Sequence, residues 1–258
     1  MKFCLLNIAY DNTFFGFQLQ PNVTTVQGEL LKALSPIGIK KIYGSSRTDS
    51  HVRSASTIIE MECNDITKVC KIVDSVKGII VRGYFESDEF INLRHSFEKE
   101  YLYIFNGRLN QKMVQRAIRE FLKGEVSGFS RDPGRKVLLS NISFSIKNTT
   151  TLFLFSGKAF SWNFVRIAAE TIIRRSEGKI DDEEWSDLLS GSKRSRYKGD
   201  ANNLILLNTR SPFKFNEYKS KNLKAIQARI FQDFYWLAGL DGVPVDIAES
   251  LGFVEGEK

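Results

Sequence analysis

The chain has 258 residues, of which 42% are hydrophobic and 26% charged, a composition typical of a globular protein with a substantial core. No segment approaches the roughly 18 consecutive apolar residues of a membrane span, which argues against an integral membrane protein. The net charge is +7, and residues 241–258 are net acidic, so the rest of the chain is more basic still. A basic chain indicates a polyanionic partner such as a nucleic acid, although basic surfaces also occur without one.

In chain order, the first half alternates strands with helices. Residues 2–10 predict a mostly buried strand, which a turn and an aromatic run follow. Residues 24–27 match a capping box and predict a helix to about Leu34, where Pro36 and Gly38 end it. The remaining predicted elements are a short strand at 39–43, a strand at 54–62, a helix capped by Asp65, and a strand at 79–85.

The second half continues the mixture. It predicts a strand at 100–105, a helix from Asn110 with Met113 among its inward residues, strands at 137–146 and 151–155, a long helix at 160–176, a helix with an acidic first turn at 181–184, and a short strand at 204–207. From Pro212 the pattern predicts an amphipathic helix at 222–237 and an acidic tail. We therefore expect an α+β fold of two halves, 1–95 and 96–211, with a C-terminal extension at 212–258.

Cysteine and histidine usage bounds the chemistry. The chain has three cysteines, an odd number without CxxC spacing: Cys4, Cys63 and Cys70. We therefore predict that it has neither a disulfide framework nor a zinc site, and that it resides in a reducing cytoplasm. Only His51 and His95 are present, which argues against a multi-histidine metal centre. The N-terminus has no signal-peptide cleavage site, and GxGxxG and GxxxxGK[ST] are both absent, so no nucleotide cofactor is indicated.

The loop at 44–52 concentrates polar chemistry between two apolar segments. Its small turn residues are accompanied by Arg47 and Asp49. A nearby positive charge favours the ionised carboxylate, which can then act as a nucleophile or a base. The alternative is a surface turn with an incidental ion pair. The local pattern taken alone favours this alternative, because short motifs often match by chance.

Arg166 lies in an otherwise apolar stretch of the predicted helix. A buried arginine needs an anionic partner, and Asp49 is one candidate. The alternative is a surface arginine whose stem lies along apolar neighbours. Aromatic side chains in two segments could stack on bases but at such spacing are more often core: Tyr10, Phe14, Phe15 and Phe17 in the first, and Trp162 and Phe164 in the second.

Taken together, these stretches resemble the TruA family of tRNA pseudouridine synthases. Residues 10–28 resemble the family's opening YDGTxFxGFQxQP…TVQG, and Arg47-Thr48-Asp49 resembles its catalytic RTD. Residues 99–103 are similar to the strand whose first tyrosine contacts the target uridine, and 159–166 to the AF…MVR helix. The motifs occur in the right order over residues 3–209.

The resemblance implies the pseudouridine-synthase fold, with two α/β halves whose mixed, largely antiparallel sheets flank a central basic cleft. It implies isomerisation of uridine to pseudouridine in the anticodon stem-loop of tRNA, at positions 38–40. It also implies that the reaction needs no metal and no organic cofactor, and that the enzyme is a cytoplasmic homodimer.

The resemblance further assigns roles to five residues. Asp49 is the nucleophile, and Arg166 pairs with it and keeps it ionised. Tyr101 stacks on the flipped uracil, and Leu204 lines the other side of the pocket. Arg47 helps to extrude the base, which a stacked uridine requires before any reaction.

The sequence departs from the family pattern near the RTD motif, where the family commonly has GRTDAGVHA. His51 replaces a glycine, so the loop must be shaped differently if that glycine's backbone angle is required. Arg53 replaces a histidine and adds positive charge. Asn12 and Asn203 replace glycines elsewhere, and Asn12 still tolerates a left-handed turn. These changes bear on substrate choice more than on catalysis.

Three alternatives stay open from the sequence. The same chemistry could act on another tRNA position. A tRNA-binding protein or chaperone without activity is a second, although binding alone does not need a carboxylate facing RNA phosphates. A Ser/His hydrolase is a third; it would depend on His51 or His95, and no GxSxG marks its nucleophile.

Overall fold

The computed structural model describes residues 2–93, 96–132, 136–222 and 254–255. These residues form two compact units. The first contains 2–93, 96–99 and 205–222, and the second contains 100–132, 136–204 and 254–255. The division at 95 and 211 drawn from the sequence stays a prediction, and the predicted helix at 222–237 lies outside the described residues beyond Asn222.

The strands form a mixed, largely antiparallel arrangement, as the family resemblance implies. In the first unit their order is β9-β4-β1-β3-β8, with β2 beside β3, and only the β3–β8 pairing is parallel. In the second unit the order is β10-β6-β7-β5, and β6 pairs antiparallel with both neighbours. The strands are β1 (Lys2–Tyr10), β2 (Tyr43–Gly44), β3 (Arg53–Cys63), β4 (Ile79–Ser87), β5 (Glu98–Phe105), β6 (Leu138–Lys147), β7 (Thr150–Ala159), β8 (Leu204–Arg210), β9 (Asn216–Glu217) and β10 (Val254–Glu255).

Five α-helices are formed by the described residues, and most begin at a side-chain cap. Asp65, Asn110 and Asp181 each accept hydrogen bonds from backbone N–H groups of the first turn that follows. In this part of the chain no helix has the length and apolar character that crossing a bilayer would require. The helices are α1 (Val26–Leu34), α2 (Ile66–Asp74), α3 (Gln111–Lys123), α4 (Phe164–Ser176) and α5 (Asp182–Leu189).

The capping box predicted before α1 is wrong. Thr25, not Thr24, is the N-cap, and its Oγ1 accepts a hydrogen bond from Gly28 N at 3.2 Å. The Gln27 side chain does not fold back on the cap. Its Oε1 accepts from Leu19 N at 2.8 Å and its Nε2 donates to Ile42 O at 2.9 Å, so Gln27 joins the helix to two flanking loops.

Three further sequence expectations are corrected. Helix α4 begins at Phe164 rather than Phe160, because Asn163 has a left-handed backbone with φ 59° that a helix cannot continue through. The short strand expected at 39–43 is reduced to the two residues of β2. Met113 on α3 is exposed rather than inward, while Val114 and Phe121 on the same helix are buried as predicted.

The core of the first unit follows the two-residue period of its strands. Alternate residues of β1, including Leu6 and Ile8, face α1 and α2, where Leu30 and Val69 meet them. Leu5 points to the opposite face, in a smaller cluster with Ile58, Leu93 and Phe97. The sheet in this unit is therefore covered on both faces, which explains why β1 reads as a mostly apolar run and why β3 is buried along nearly its whole length.

A disulfide joins Cys4 on β1 to Cys63 on β3, which the sequence prediction of no disulfide framework does not anticipate. In the antiparallel register Cys4 lies opposite Met61, which places Cys63 diagonally across from it with a Cα–Cα distance of 5.9 Å. That separation lies within the range for disulfides. The pairing depends on strand register over a separation of 59 residues, which residue spacing alone does not show. Cys70 is buried as a free thiol.

Candidate active site

The loop at 44–52 connects β2 to β3 in the first unit and is anchored at both ends. Ser45 N donates to Ile58 O at 2.8 Å, and Ile58 N donates to Ser45 Oγ at 3.1 Å. At the other end Val52 is buried, and its N–H donates to Asp49 O at 3.2 Å. The backbone around Asp49 is therefore fixed by contacts on each side.

Thr48 turns inward between the two charged residues of the loop. Its carbonyl accepts from Phe17 N at 3.2 Å, and its hydroxyl shares a hydrogen bond of 2.9 Å with the Tyr10 hydroxyl. Burial raises the pKa of Tyr10, so this phenol stays protonated and keeps a hydrogen to donate. With Thr48 buried, Arg47 is exposed and Asp49 is half-buried.

Gly16 allows the aromatic segment at 14–17 to approach the loop closely. It has φ +89°, and a Cβ atom built there would lie 2.8 Å from Thr48 O and 3.2 Å from the carbonyl carbon of Asp49. Both the backbone angle and the contact therefore require glycine. Gly16 and Phe17, in the GFQ portion of the sequence pattern, thus pack against the backbone of the Asp49 loop.

His51 has a left-handed backbone of the kind that favours glycine, with φ +64°. The effect of the glycine-to-histidine change on the shape of the loop stays a prediction. Its N–H donates to Phe14 O at 3.0 Å, Nδ1 donates to Asn12 O at 3.0 Å, and its ring lies 5.0 Å from the Phe15 ring. Asn12 itself is not among the residues with positive φ, so its tolerance of a left-handed turn is not used.

Tyr101 lies on β5 in the second unit and is buried. Its ring meets Phe160 edge-on, with 5.1 Å between ring centroids, and Phe160 lies 6.1 Å from Phe164 at the start of α4. The chain of three rings fixes Tyr101 relative to α4, the helix that carries Arg166.

Arg166 is partly buried and is held by neighbours on both sides. Its Nε donates to Gly199 O at 2.9 Å, and its Nη1 donates to Asn163 Oδ1 at 3.1 Å. Gly199 N donates back to Arg166 O at 3.1 Å. A Cβ atom on Gly199 would collide with the Tyr103 hydroxyl, whose pKa burial raises to about 12. The guanidinium is therefore oriented by a tight backbone contact.

Leu204 begins β8 and is buried. A short 3-10 turn at Ala201–Asn203 delivers it, with Asp200 as the N-cap that accepts from Asn202 N at 2.9 Å. Asn203 is not among the residues with positive φ, so this turn does not require the glycine that the family usually has there.

The predicted site residues are thus distributed over both units. Arg47 and Asp49 share one loop of the first unit, whereas Tyr101, Arg166 and Leu204 belong to the second. Sequence reasoning missed the residues that hold them: Thr48, Tyr10, Asn163 and Gly199. The available signal was the spacing of three between Asn163 and Arg166, which is the spacing between a helix N-cap residue and the third residue of its helix.

Burial separates the aromatic candidates. The core interpretation is confirmed for Tyr10, Phe14, Phe17 and Phe164. Phe15 is 43% exposed, and Trp162 is 61% exposed, so packing is the wrong interpretation for the indole. Arg53 is buried at the start of β3 and does not add an exposed charge.

Comparison with known proteins identifies relatives that match along most of the chain. No family model matches the chain. The chain is 30% identical over 255 residues to tRNA pseudouridine synthase A of Pyrococcus furiosus, covering 94% of this chain and 96% of that protein. The proteins of the same name from Pyrococcus horikoshii and Thermosipho melanesiensis are 30% identical over 198 residues and 27% over 234. These matches cover 72% and 78% of this chain, and 75% and 95% of those proteins.

Among solved structures, the archaeal box H/ACA sRNP Nop10-Cbf5 complex matches with a TM-score of 0.36 and 12% sequence identity. The match covers 67% of this chain and 43% of that chain. Such a likeness carries no argument about function.

Proposed function

The chain belongs to the tRNA pseudouridine synthase A family, and on this premise we propose that it isomerises uridine to pseudouridine in the anticodon stem-loop of tRNA, at positions 38–40. The observation that carries the proposal is the Asp49 loop. Its half-buried carboxylate stands on a backbone anchored through Ser45, Thr48 and Val52, next to an exposed arginine. A carboxylate carried on a fixed backbone suits nucleophilic chemistry better than one on a mobile surface turn does.

In the proposed reaction Asp49 is the nucleophile: its carboxylate bonds to the substrate when uracil is detached and leaves again before the product is released. The bond between ribose C1′ and uracil N1 breaks, the uracil turns within the pocket, and C1′ bonds to C5. The C5 proton is then lost and N1 gains one, so the product is an isomer of the substrate. The reaction as proposed uses no metal and no organic cofactor.

The second unit supplies the groups that complete this proposal. Arg166, held by Asn163 and Gly199, pairs with Asp49 and keeps the carboxylate ionised. Tyr101 stacks on the extruded uracil, supported by its edge-on contact with Phe160, and Leu204 lines the opposite side.

Base extrusion and RNA binding draw on exposed charge. A uridine inside a stem-loop has to leave its stack before its C1′–N1 bond can be attacked, and Arg47 fills the space that it leaves. The net charge of +7 supports phosphate contacts in a basic cleft. A homodimer acting in the cytoplasm, where tRNA is used, completes the proposal.

The experiment is product mapping. Unmodified tRNA transcripts are incubated with the protein, and pseudouridine is located by carbodiimide labelling and primer extension. We expect product at positions 38–40 with the wild type and none with Asp49→Ala. Product at another position would replace the proposed target, and tight binding without product would favour an inactive tRNA-binding protein.

A further inference from the structure

Trp162 is a large apolar side chain left in solvent close to two proposed site residues. Its indole is 61% exposed, more than any other large hydrophobic residue in the part of the chain that the structure describes. It lies two residues after Phe160, which contacts Tyr101, and four before Arg166. Two residues span at most about 7 Å, so the backbone of Trp162 lies within that distance of the backbone of Phe160, whose ring contacts Tyr101.

The backbone that carries Trp162 is a fixed turn rather than a loose loop. Phe164 N donates to Ser161 O at 3.1 Å, which makes Trp162 and Asn163 the two central residues of a β-turn. Asn163 has φ 59° and ψ 5°, the left-handed geometry required at the third residue of a type II turn. The carbonyl of Trp162 also accepts from Arg131 N at 3.3 Å. The indole is therefore presented at a turn corner with a defined position.

The same turn also orients Arg166, because the Asn163 side chain accepts the Arg166 Nη1 hydrogen bond. Exposing the indole and placing the guanidinium are thus two consequences of one local structure. Arg131, whose backbone N–H donates to the Trp162 carbonyl, has an exposed side chain, so the segment that contacts this turn carries a positive charge. An aromatic face next to cations is the combination that binds unpaired nucleotides.

We propose that Trp162 stacks on an unpaired base of the RNA next to the target uridine, and so contributes to the choice of substrate. The proposal rests on the proposed function, since it places the base beside the uridine that enters the Tyr101 pocket. Extruding one nucleotide breaks the stack of its neighbour, and the exposed indole offers that neighbour a replacement surface.

The test measures RNA affinity in a background that cannot turn over. Asp49→Ala protein is combined with Trp162→Ala, Trp162→Phe or, as a matched control, Met113→Ala, which removes another exposed apolar side chain of the second unit. The probe is the tRNA transcript in which the wild type forms pseudouridine. We expect Trp162→Ala to weaken binding about tenfold, Trp162→Phe to retain most of the affinity, and Met113→Ala to leave it unchanged.

A second set of transcripts carries an abasic nucleotide on the 5′ or the 3′ side of the target. One of the two abasic transcripts should bind the protein that retains Trp162 about tenfold more weakly than the intact transcript does. The same transcript should lose little further affinity for Trp162→Ala, because the abasic site and the alanine remove the same contact. The salt dependence of binding should be unchanged by Trp162→Ala, whereas loss of a phosphate contact would reduce it.

The stacking proposal would be overturned if Trp162→Ala bound the RNA as tightly as the protein that retains Trp162. It would also be overturned if the losses in affinity from Trp162→Ala and from the abasic nucleotide multiplied when the two were combined. A change in oligomeric state at constant RNA affinity would overturn it as well, and would assign the indole to a contact between protein chains. A wild type that forms no pseudouridine would instead overturn the proposed function, and is seen directly in the product assay.

Discussion

At the scale of single residues, the Asp49 loop is defined by hydrogen bonds that no motif encodes. Thr48 is fixed by Tyr10 and Phe17, and His51 is fixed by Asn12 and Phe14. His51 has a left-handed backbone, which is unfavourable by roughly 1 kcal/mol for a residue with a Cβ. Its imidazole contacts offset that strain.

Replacing His51 separates the strain from the contacts. His51→Ala keeps the left-handed backbone but loses the Nδ1 bond to Asn12 O and the Phe15 contact, so we expect a loss of about 1 kcal/mol in the free energy of unfolding. His51→Gly loses the same contacts but relieves the strain, and should stay within about 0.5 kcal/mol of the wild type. Urea unfolding measures both, and an alanine variant as stable as the glycine variant would contradict this account.

Arg166 depends on the shape of its guanidinium as well as its charge. Arg166→Lys keeps the positive charge but loses the two bonds to Gly199 O and Asn163 Oδ1. We expect kcat for pseudouridine formation to fall by roughly 10- to 100-fold, on the order of the effect of one misplaced group, with little change in tRNA affinity. Arg175→Lys, later on the same helix, is the control and should leave kcat unchanged. Equal effects of the two substitutions would remove the special role of Arg166.

At the scale of elements, the sequence predicts which helices and strands exist better than it predicts where they begin and end. The two-residue and helical periods of buried residues predict all the longer strands and helices, and Asp65, Asn110 and Asp181 are caps with a direct physical reason. The start of α4 is missed because Asn163 has a left-handed backbone that a helix cannot continue through, and no glycine or proline marks that position in the sequence.

The candidate site shows the same limit. A sequence motif places Arg47 and Asp49 on one loop, but the partners that fix them come from β1 and the segment at 14–17. The Cys4–Cys63 disulfide depends on strand register in the same way. Trp162 has a large apolar side chain of the kind usually found in a core, and it is exposed because it lies at the corner of a turn.

Strand β5 carries a buried lysine whose charge opposes folding. Burial lowers the pKa of Lys99 to about 8, from an unfolded value near 10.5. Below pH 8 both states hold the proton, so the unfavourable burial of the charge is fully present. Between pH 8 and 10.5 the unfolded state binds more protons than the native state, so stability rises with pH.

We therefore expect the wild type to gain stability relative to Lys99→Met between pH 7 and 9.5, on the order of 1 kcal/mol. Denaturant unfolding of both proteins at the two pH values measures the difference, which also cancels most contributions from other groups. A constant difference, or one that grows in favour of the methionine variant, would contradict the buried-cation account.

At the scale of the whole molecule, the proposed chemistry draws on two units. Asp49 belongs to one, and Tyr101, Arg166 and Leu204 belong to the other. Each unit fixes its own residues through internal contacts. A net charge of +7 on the chain favours an anionic substrate.

The pairing of the cysteines can be tested by counting the free thiols of the chain. Protein purified without reductant and then denatured should react with an alkylating agent at one thiol, Cys70, and at all three after reduction. In the native protein Cys70 should react slowly, because burial raises its pKa to about 12. Mass spectrometry counts the labels, and three labels before reduction would show that Cys4 and Cys63 are not joined.

The central claim is that Asp49 breaks the bond between ribose and uracil. The most direct measurement is single-turnover release of tritium from C5-labelled uridine in a tRNA transcript, with the wild type and Asp49→Ala side by side at low salt. We predict release with the wild type only, while the variant still binds the transcript. Release that survives Asp49→Ala would contradict the mechanism.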